Sequence, residues 1–273
     1  MTTFFGILIG MGVMVFAITG VQASYMLFIN IHGILIVFGG VIASTLTSFS
    51  FDEVMRGFRA FLLVFTRKHI DYVGQINEIA EVGSIYLKGG FPELEKKVDT
   101  MRNNLFKDGL RYFLSGYKKD EIVMMLEDAL TLRLDREAVD AKMLKQMGKF
   151  APAFGMVGTV VGMIFMLSQM GTNPEKMGPF LATALTATFY GLFLANIVFY
   201  PMGEKVAVTS ESNLLQGRIW VEGVAMITEK RHPLYIKDKL ASFVAPAERG
   251  KIYKSAASSQ TVPQETATAT AKK

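Results

Sequence analysis

The chain has no cysteine and very little charge where it begins. The missing cysteine rules out disulfide staples and thiolate metal sites. The first acidic or basic side chain is Asp52, and before it only His32 can change charge near neutral pH. No water-soluble domain needs so long an uncharged opening. Charge is also missing from four apolar stretches, roughly Phe4 to Thr19, Met26 to Leu46, Phe150 to Leu167 and Gly178 to Tyr200. Each approaches the ~20 residues that a helix rising 1.5 Å per residue needs to cross about 30 Å of hydrocarbon. No phosphate-binding glycine loop, nucleophile motif or catalytic-triad spacing occurs, and the three histidines are scattered. Enzymatic chemistry, a resident metal and ATP as fuel are therefore not expected.

What is present is apolar: 51% of the 273 residues are hydrophobic, and the mean hydropathy is +0.32. A polytopic all-α membrane protein follows, with four transmembrane helices. The tripeptide Val21–Ala23 resembles a signal-peptidase site, but the preceding segment lacks the basic start of a secretory signal, so the first helix is expected to be retained. Of the 29 Lys and Arg, all but Lys176 fall in residues 51–150 or 201–273. The positive-inside rule puts both regions, and both termini, in the cytoplasm. The pI of 9.2 then reflects topology, and no nucleic-acid partner is expected.

Five regions are expected: helices 1 and 2 in 3–47, a cytoplasmic helical domain in 48–149, helices 3 and 4 in 150–201, cytoplasmic C-terminal helices in 202–245 and a disordered tail in 246–273. The run "DREAVDAKMLKQMGK" leads into Phe150 without a turn signal, so one helix is expected to pass from cytoplasm into bilayer. A second should extend from the fourth span to His232-Pro233. Ile122, Met125, Leu126, Ala129 and Leu132 share one helical face. Gly89-Gly90 and Gly116 mark stops, with Pro92 opening the next helix.

The segment "APAFGMVGTVVGM", Ala151 to Met163, gives up side-chain volume inside an apolar run. Gly155, Thr159 and Gly162 share a face, Gly158 and Gly162 form a G-x-x-x-G pair, and Ala184, Thr188, Gly191 and Ala195 make a matching stripe in the fourth span. Small residues let helix backbones approach. One reading is an ordinary helix seam with back-bonded threonines. The other is a path for a small cation, with threonine oxygens replacing part of its hydration shell. No span carries a carboxylate, Lys or Arg, so ion coupling requires a titrating group on a partner helix, packed against these stripes.

"APAFGMVGTVVGMIFMLSQM", "GPFLATALTATFYGLFLANIVFYP" and "KGGFPELE", in this order after two N-terminal spans, resemble the MotA/PomA family of the MotA/TolQ/ExbB superfamily. The resemblance implies the ion-channel subunit of a flagellar stator: a homopentameric ring around a MotB/PomB-type partner that carries the ion-binding aspartate. Such a ring would convert ion flow into torque on the rotor protein FliG. Pro152 and Pro201 match prolines linked to ion-coupled movement. Thr159 and Thr188 match the ion pathway, and Thr159 favours Na+ over H+, although Ala187 departs from the sodium pattern. Lys88 and Glu95 match rotor-contact charges, with Leu87 where arginine is expected and Lys96 where a second acid is common. The alternative is an ExbB/TolQ-like energiser of another envelope machine.

Overall fold

The computed structural model describes residues 2–19, 28–66, 70–101 and 103–257. These residues form ten α-helices: α1 (Thr2–Thr19), α2 (Ile31–Ser48), α3 (Phe51–Thr66), α4 (Tyr72–Asp99), α5 (Asn104–Leu114), α6 (Lys119–Gln169), α7 (Met177–Phe193), α8 (Tyr200–Thr228), α9 (Pro233–Ala241) and α10 (Pro246–Ala257). A π-helical turn, Leu194–Phe199, joins α7 to α8. Among the described residues there is no strand, so the all-α expectation holds. Three helical stretches are long and apolar enough to cross a membrane: Ile31–Ser48, Lys119–Gln169 and Pro174–Thr228. The apolar stretch of α1, Phe5–Phe16, is shorter.

The chain divides into two units. Unit 1 comprises residues 1–68 and 133–211, and unit 2 residues 69–132 and 212–273. In unit 1, Asn30 caps α2 by accepting the Gly33 N–H at 3.1 Å. Gly33, Val37, Val41 and Thr45 then recur every fourth residue as the buried face of that helix. Ser50 and Glu53 form a reciprocal capping box that starts α3, with the Ser50 N–H and hydroxyl both donating to the Glu53 carboxylate at 2.8 Å. The other face of α3 packs into a cluster around Met143, Leu144 and Met202.

Unit 2 is built around Ile76, Ile79, Leu94, Phe106, Leu110, Ile219, Ile227 and Ile236, all fully buried or nearly so. Trp220 lies 4.6 Å from Phe106, centroid to centroid. Gly90 bends α4 with φ +67°, a conformation that favours glycine, and Pro92 follows in the new first turn. Gly116, at φ +89°, ends α5 in the same way. These stops agree with the sequence.

Two expectations need correction. The core face of α6 in unit 2 is Ile122, Leu126 and Leu130, whereas Ala129 and Leu132 are exposed. Leu130 is drawn in because it fills the space over Gly217 of α8. Residues 246–257 are not a disordered tail: they form α10, and its Ile252 is fully buried in the unit 2 core. One isoleucine at the right phase decides this, and the polar composition around it hides the signal. The remainder of the expected tail lies outside the described residues.

Candidate functional site

The site lies in unit 1, where α6 and α7 pack side by side. α6 is helical without interruption for 51 residues, through Pro152. The small residues of the two helices bring their backbones together. A Cβ added to Gly191 would stand 2.5 Å from the Ala151 carbonyl oxygen, one on Gly155 3.1 Å from the Ala187 carbonyl, and one on Gly162 2.9 Å from the Ala184 backbone. Gly158 faces the Ala187 methyl and Ile36. Ala184 and Ala195 are buried, the latter with Val41, Ala151 and Phe199.

Gly155, Gly158, Gly162, Ala184, Gly191 and Ala195, expected from the sequence to pack on a partner helix, are buried here within the chain itself. The glycines of α6 are covered by α7 and α2 of the same chain, and Gly191 by α6. Small residues permit a close approach without specifying which helix makes it, so the sequence left the neighbour open.

The close approach places the two threonines together. The Thr159 and Thr188 hydroxyls are hydrogen-bonded to each other across the seam. The Thr159 oxygen also lies 3.0 Å from the Gly155 carbonyl and 3.1 Å from the Ala184 carbonyl. The Thr188 hydroxyl reaches the Gly155 carbonyl at 3.5 Å. Four oxygens thus converge between two half-buried threonines, and α6 from Phe150 onward and α7 contain no Asp, Glu, Lys or Arg. Such a cluster offers lone pairs to a small cation but has no group whose charge changes during a cycle.

Pro201 sits two residues beyond Phe199, where the π-turn ends, and is exposed, on a groove lined also by Gly6, Gly10, Asn196 and Ile197. A proline ring clashes with the carbonyl four residues earlier and supplies no N–H. Widening the helix to a π-turn, in which the Tyr200 N–H bonds to the Ala195 carbonyl, relieves the clash. Pro152 is half-buried and leaves α6 unbroken. The π-turn itself was not foreseen, and Pro201 was its sole sequence signal.

Two further features were missed. Asn30 does more than cap α2: its side-chain amide donates to Thr183 at 2.6 Å, and its N–H donates to the Tyr190 hydroxyl at 3.0 Å, tying the start of α2 to α7. The signal was an Asn immediately before an apolar helix with Gly three positions on. Arg56 of α3 donates to Asp140 of α6 at 2.7 Å, and Asp140 is only 5% exposed. Burial pushes the Asp140 carboxyl above its ordinary range, despite the opposing effect of Arg56. Lys88 and Glu95 lie in unit 2 on either side of the Gly90 bend, both exposed and without an ion-pair partner among the described residues. No group of three or more His, Cys, Asp or Glu that could hold a metal occurs among the described residues.

Comparison with known proteins agrees with the resemblance read from the sequence. Residues 97–218 match the model of the MotA/TolQ/ExbB proton channel family. The chain is 28% identical over 249 residues to the chemotaxis protein PomA of Vibrio alginolyticus, covering 91% of this chain and 97% of that protein. It is 29% identical over 223 residues to motility protein A of Aquifex aeolicus, covering 81% of this chain and 87% of that one. Its fold matches a chain of the flagellar MotAB stator complex of Bacillus subtilis with TM-score 0.83 at 24% identity, covering 91% of this chain and 97% of that chain. The C. jejuni MotAB structure matches with TM-score 0.83 at 22% identity, covering 90% and 96%.

Proposed function

Because the chain is MotA/PomA-like along 91% of its length, we propose that it is the ion-channel subunit of a flagellar motor stator. On this reading four helices span the inner membrane, and five copies ring a MotB/PomB-type partner. The observation that carries the reading is the oxygen cluster of Thr159, Thr188, Gly155 and Ala184 in a seam free of ionisable groups. The cluster supplies part of a solvation shell. The partner's aspartate supplies the charge that binds and releases the ion. Na+ is favoured over H+, since oxygen ligands at this position suit a dehydrating metal cation.

Torque then passes to FliG through exposed charges of α4, with Lys88 and Glu95 on opposite sides of the Gly90 bend. Complementary charges of this kind register and steer a transient contact more than they tighten it. Pro152 and Pro201 bracket the cytoplasmic ends of the two seam helices, where a change in seam packing is converted into movement of the helices beyond. The ExbB/TolQ-type alternative is weaker because such chains have one span before their large cytoplasmic region, whereas α1 and α2 both precede α3 here.

Thr159→Val and Thr188→Val test the reading, since each keeps the volume and removes the hydroxyl. In a strain lacking the native subunit, but with its partner present, each variant is expected to assemble in the membrane. Swimming speed should fall severalfold, and its dependence on sodium at fixed pH should shift to higher concentration. Unchanged swimming for both variants would leave the seam a packing device. A wild-type speed that ignores sodium while following pH would reassign the ion to H+.

A further inference from the structure

The outer faces of α2 and α3 carry one continuous apolar pattern. On α2 the exposed large residues are Ile31, Leu35, Phe38, Ile42 and Leu46, spaced four, three, four and four apart. This is the face that an apolar span opposite its buried stripe of Gly33, Val37, Val41 and Thr45 would show to lipid. After the break at Phe49-Ser50 the rhythm resumes on α3 with Phe51, Met55, Phe58 and Leu62, which are 68%, 41%, 55% and 51% exposed. Yet α3 is not a span: it contains Asp52, Glu53, Arg56 and Arg59 within 16 residues.

The other side of α3 is occupied. Gly57 is so close to Met143 that an added Cβ would overlap its terminal methyl. Val54, Ala60 and Phe61 pack against the Met143–Met202 cluster, and Arg56 is held by Asp140. The helix is therefore fixed by one face, with its apolar stripe turned out and the exposed Arg59 along the border of that stripe. Four large apolar side chains aligned in water would forgo the gain that burial gives each of them.

We propose that α3 is an interfacial helix whose Phe51–Met55–Phe58–Leu62 face is covered by phospholipid of the leaflet into which the end of α2 emerges. Lipid is the occupant because the uncovered stripe continues the face of an adjoining apolar span across a two-residue break. Arg59 then reaches the headgroup phosphates while its stem lies along the acyl boundary. The assignment does not rest on ion transport. It holds or fails independently of the stator reading.

The test uses the full chain reconstituted in phosphatidylcholine–phosphatidylglycerol vesicles carrying brominated acyl chains. The one native tryptophan, Trp220, is buried and provides a nearly constant background. Phe58→Trp and, independently, Met55→Trp should each add emission that bromine quenches, more strongly from acyl positions near the headgroup than from those near the bilayer centre. The parent chain should show no comparable loss. If the added emission escapes quenching in both variants, the proposal is overturned. Water-like emission would then place the face in solvent, and blue-shifted, concentration-dependent emission would place it against a second copy.

Discussion

At the scale of single residues, the seam depends on the absence of side chains. Gly191 faces the Ala151 carbonyl so closely that even a methyl group cannot enter without pushing α6 and α7 apart. Gly191→Ala should therefore destabilise unit 1 by about 1–3 kcal/mol, the usual cost of overpacking. Gly39 on α2 has nothing within 4 Å of its would-be Cβ, and Gly39→Ala should raise helix stability by about 0.5–1 kcal/mol. Thermal melting of the two variants in one detergent checks the pair of signs. Asp140 permits a sharper prediction. Its carboxyl is shifted upward from the ordinary 3.8 chiefly by burial, so the charged form costs stability above its folded-state pKa. That cost is relieved as pH falls through the raised value towards 3.8. The sign is opposite to that of an ion pair whose stability is lost in acid. Asp140→Asn should melt above wild type near pH 7, and the difference should shrink as the medium approaches the ordinary carboxylate range. Melting curves across pH 4–7 check this, with Glu53, Glu137, Arg56 and Arg59 retained as its charged surroundings.

At the scale of elements, the helices were legible wherever a local rule decides them. The unbroken run into Phe150, the stops at Gly90 and Gly116, and the new helix at Pro233 all follow from residues within one or two turns. The face of α6 in unit 2 was not legible in full, because Leu130 and Leu132 are equally apolar and only the gap over Gly217 distinguishes them. The same holds for the seam. The stripes announced close packing, but the identity of the opposing helix is a tertiary fact. The π-turn is an intermediate case, since Pro201 demanded some adjustment of the preceding turn without specifying which. With no N–H at residue 201, a carbonyl of the preceding turn loses its ordinary helical partner. Pro201→Ala restores that donor, and the turn is expected to relax towards regular α-helix. Hydrogen exchange of the amides from Leu194 to Val206 should then slow, and the variant should melt higher by an amount corresponding to about 1–3 kcal/mol. If the proline serves coupling, swimming falls although the protein has become more stable. A faster-exchanging turn would mean that the π-geometry is imposed by packing, not by the proline.

At the scale of the whole molecule, composition revealed the apolar unit 1 much more readily than the limits of unit 2. A chain with no charge before Asp52 can hardly be other than a membrane protein, whereas the C-terminal end of unit 2 depends on a few apolar residues set among polar ones. Residues 246–257 illustrate the point. Ile252 is fully buried in the core that also holds Ile236, Leu240 and Val244, and Tyr253 donates to Asp238 of α9 at 2.8 Å. Ile236, in turn, fills the space over Gly83 of α4, so the last helices complete the packing around the helix that carries Lys88 and Glu95. Ile252→Ala should therefore cost about 2–5 kcal/mol, as for other buried isoleucines. A chain ending at Ala245 should lose more, and one ending at Ala257 should match the full chain. Trp220 allows these effects to be read in one unit alone, because it is the sole tryptophan and packs on Phe106 within unit 2. Its emission should shift red at a lower temperature in the first two variants and not in the third. Equal melting of all four chains would show that α10 rests on a core already complete without it.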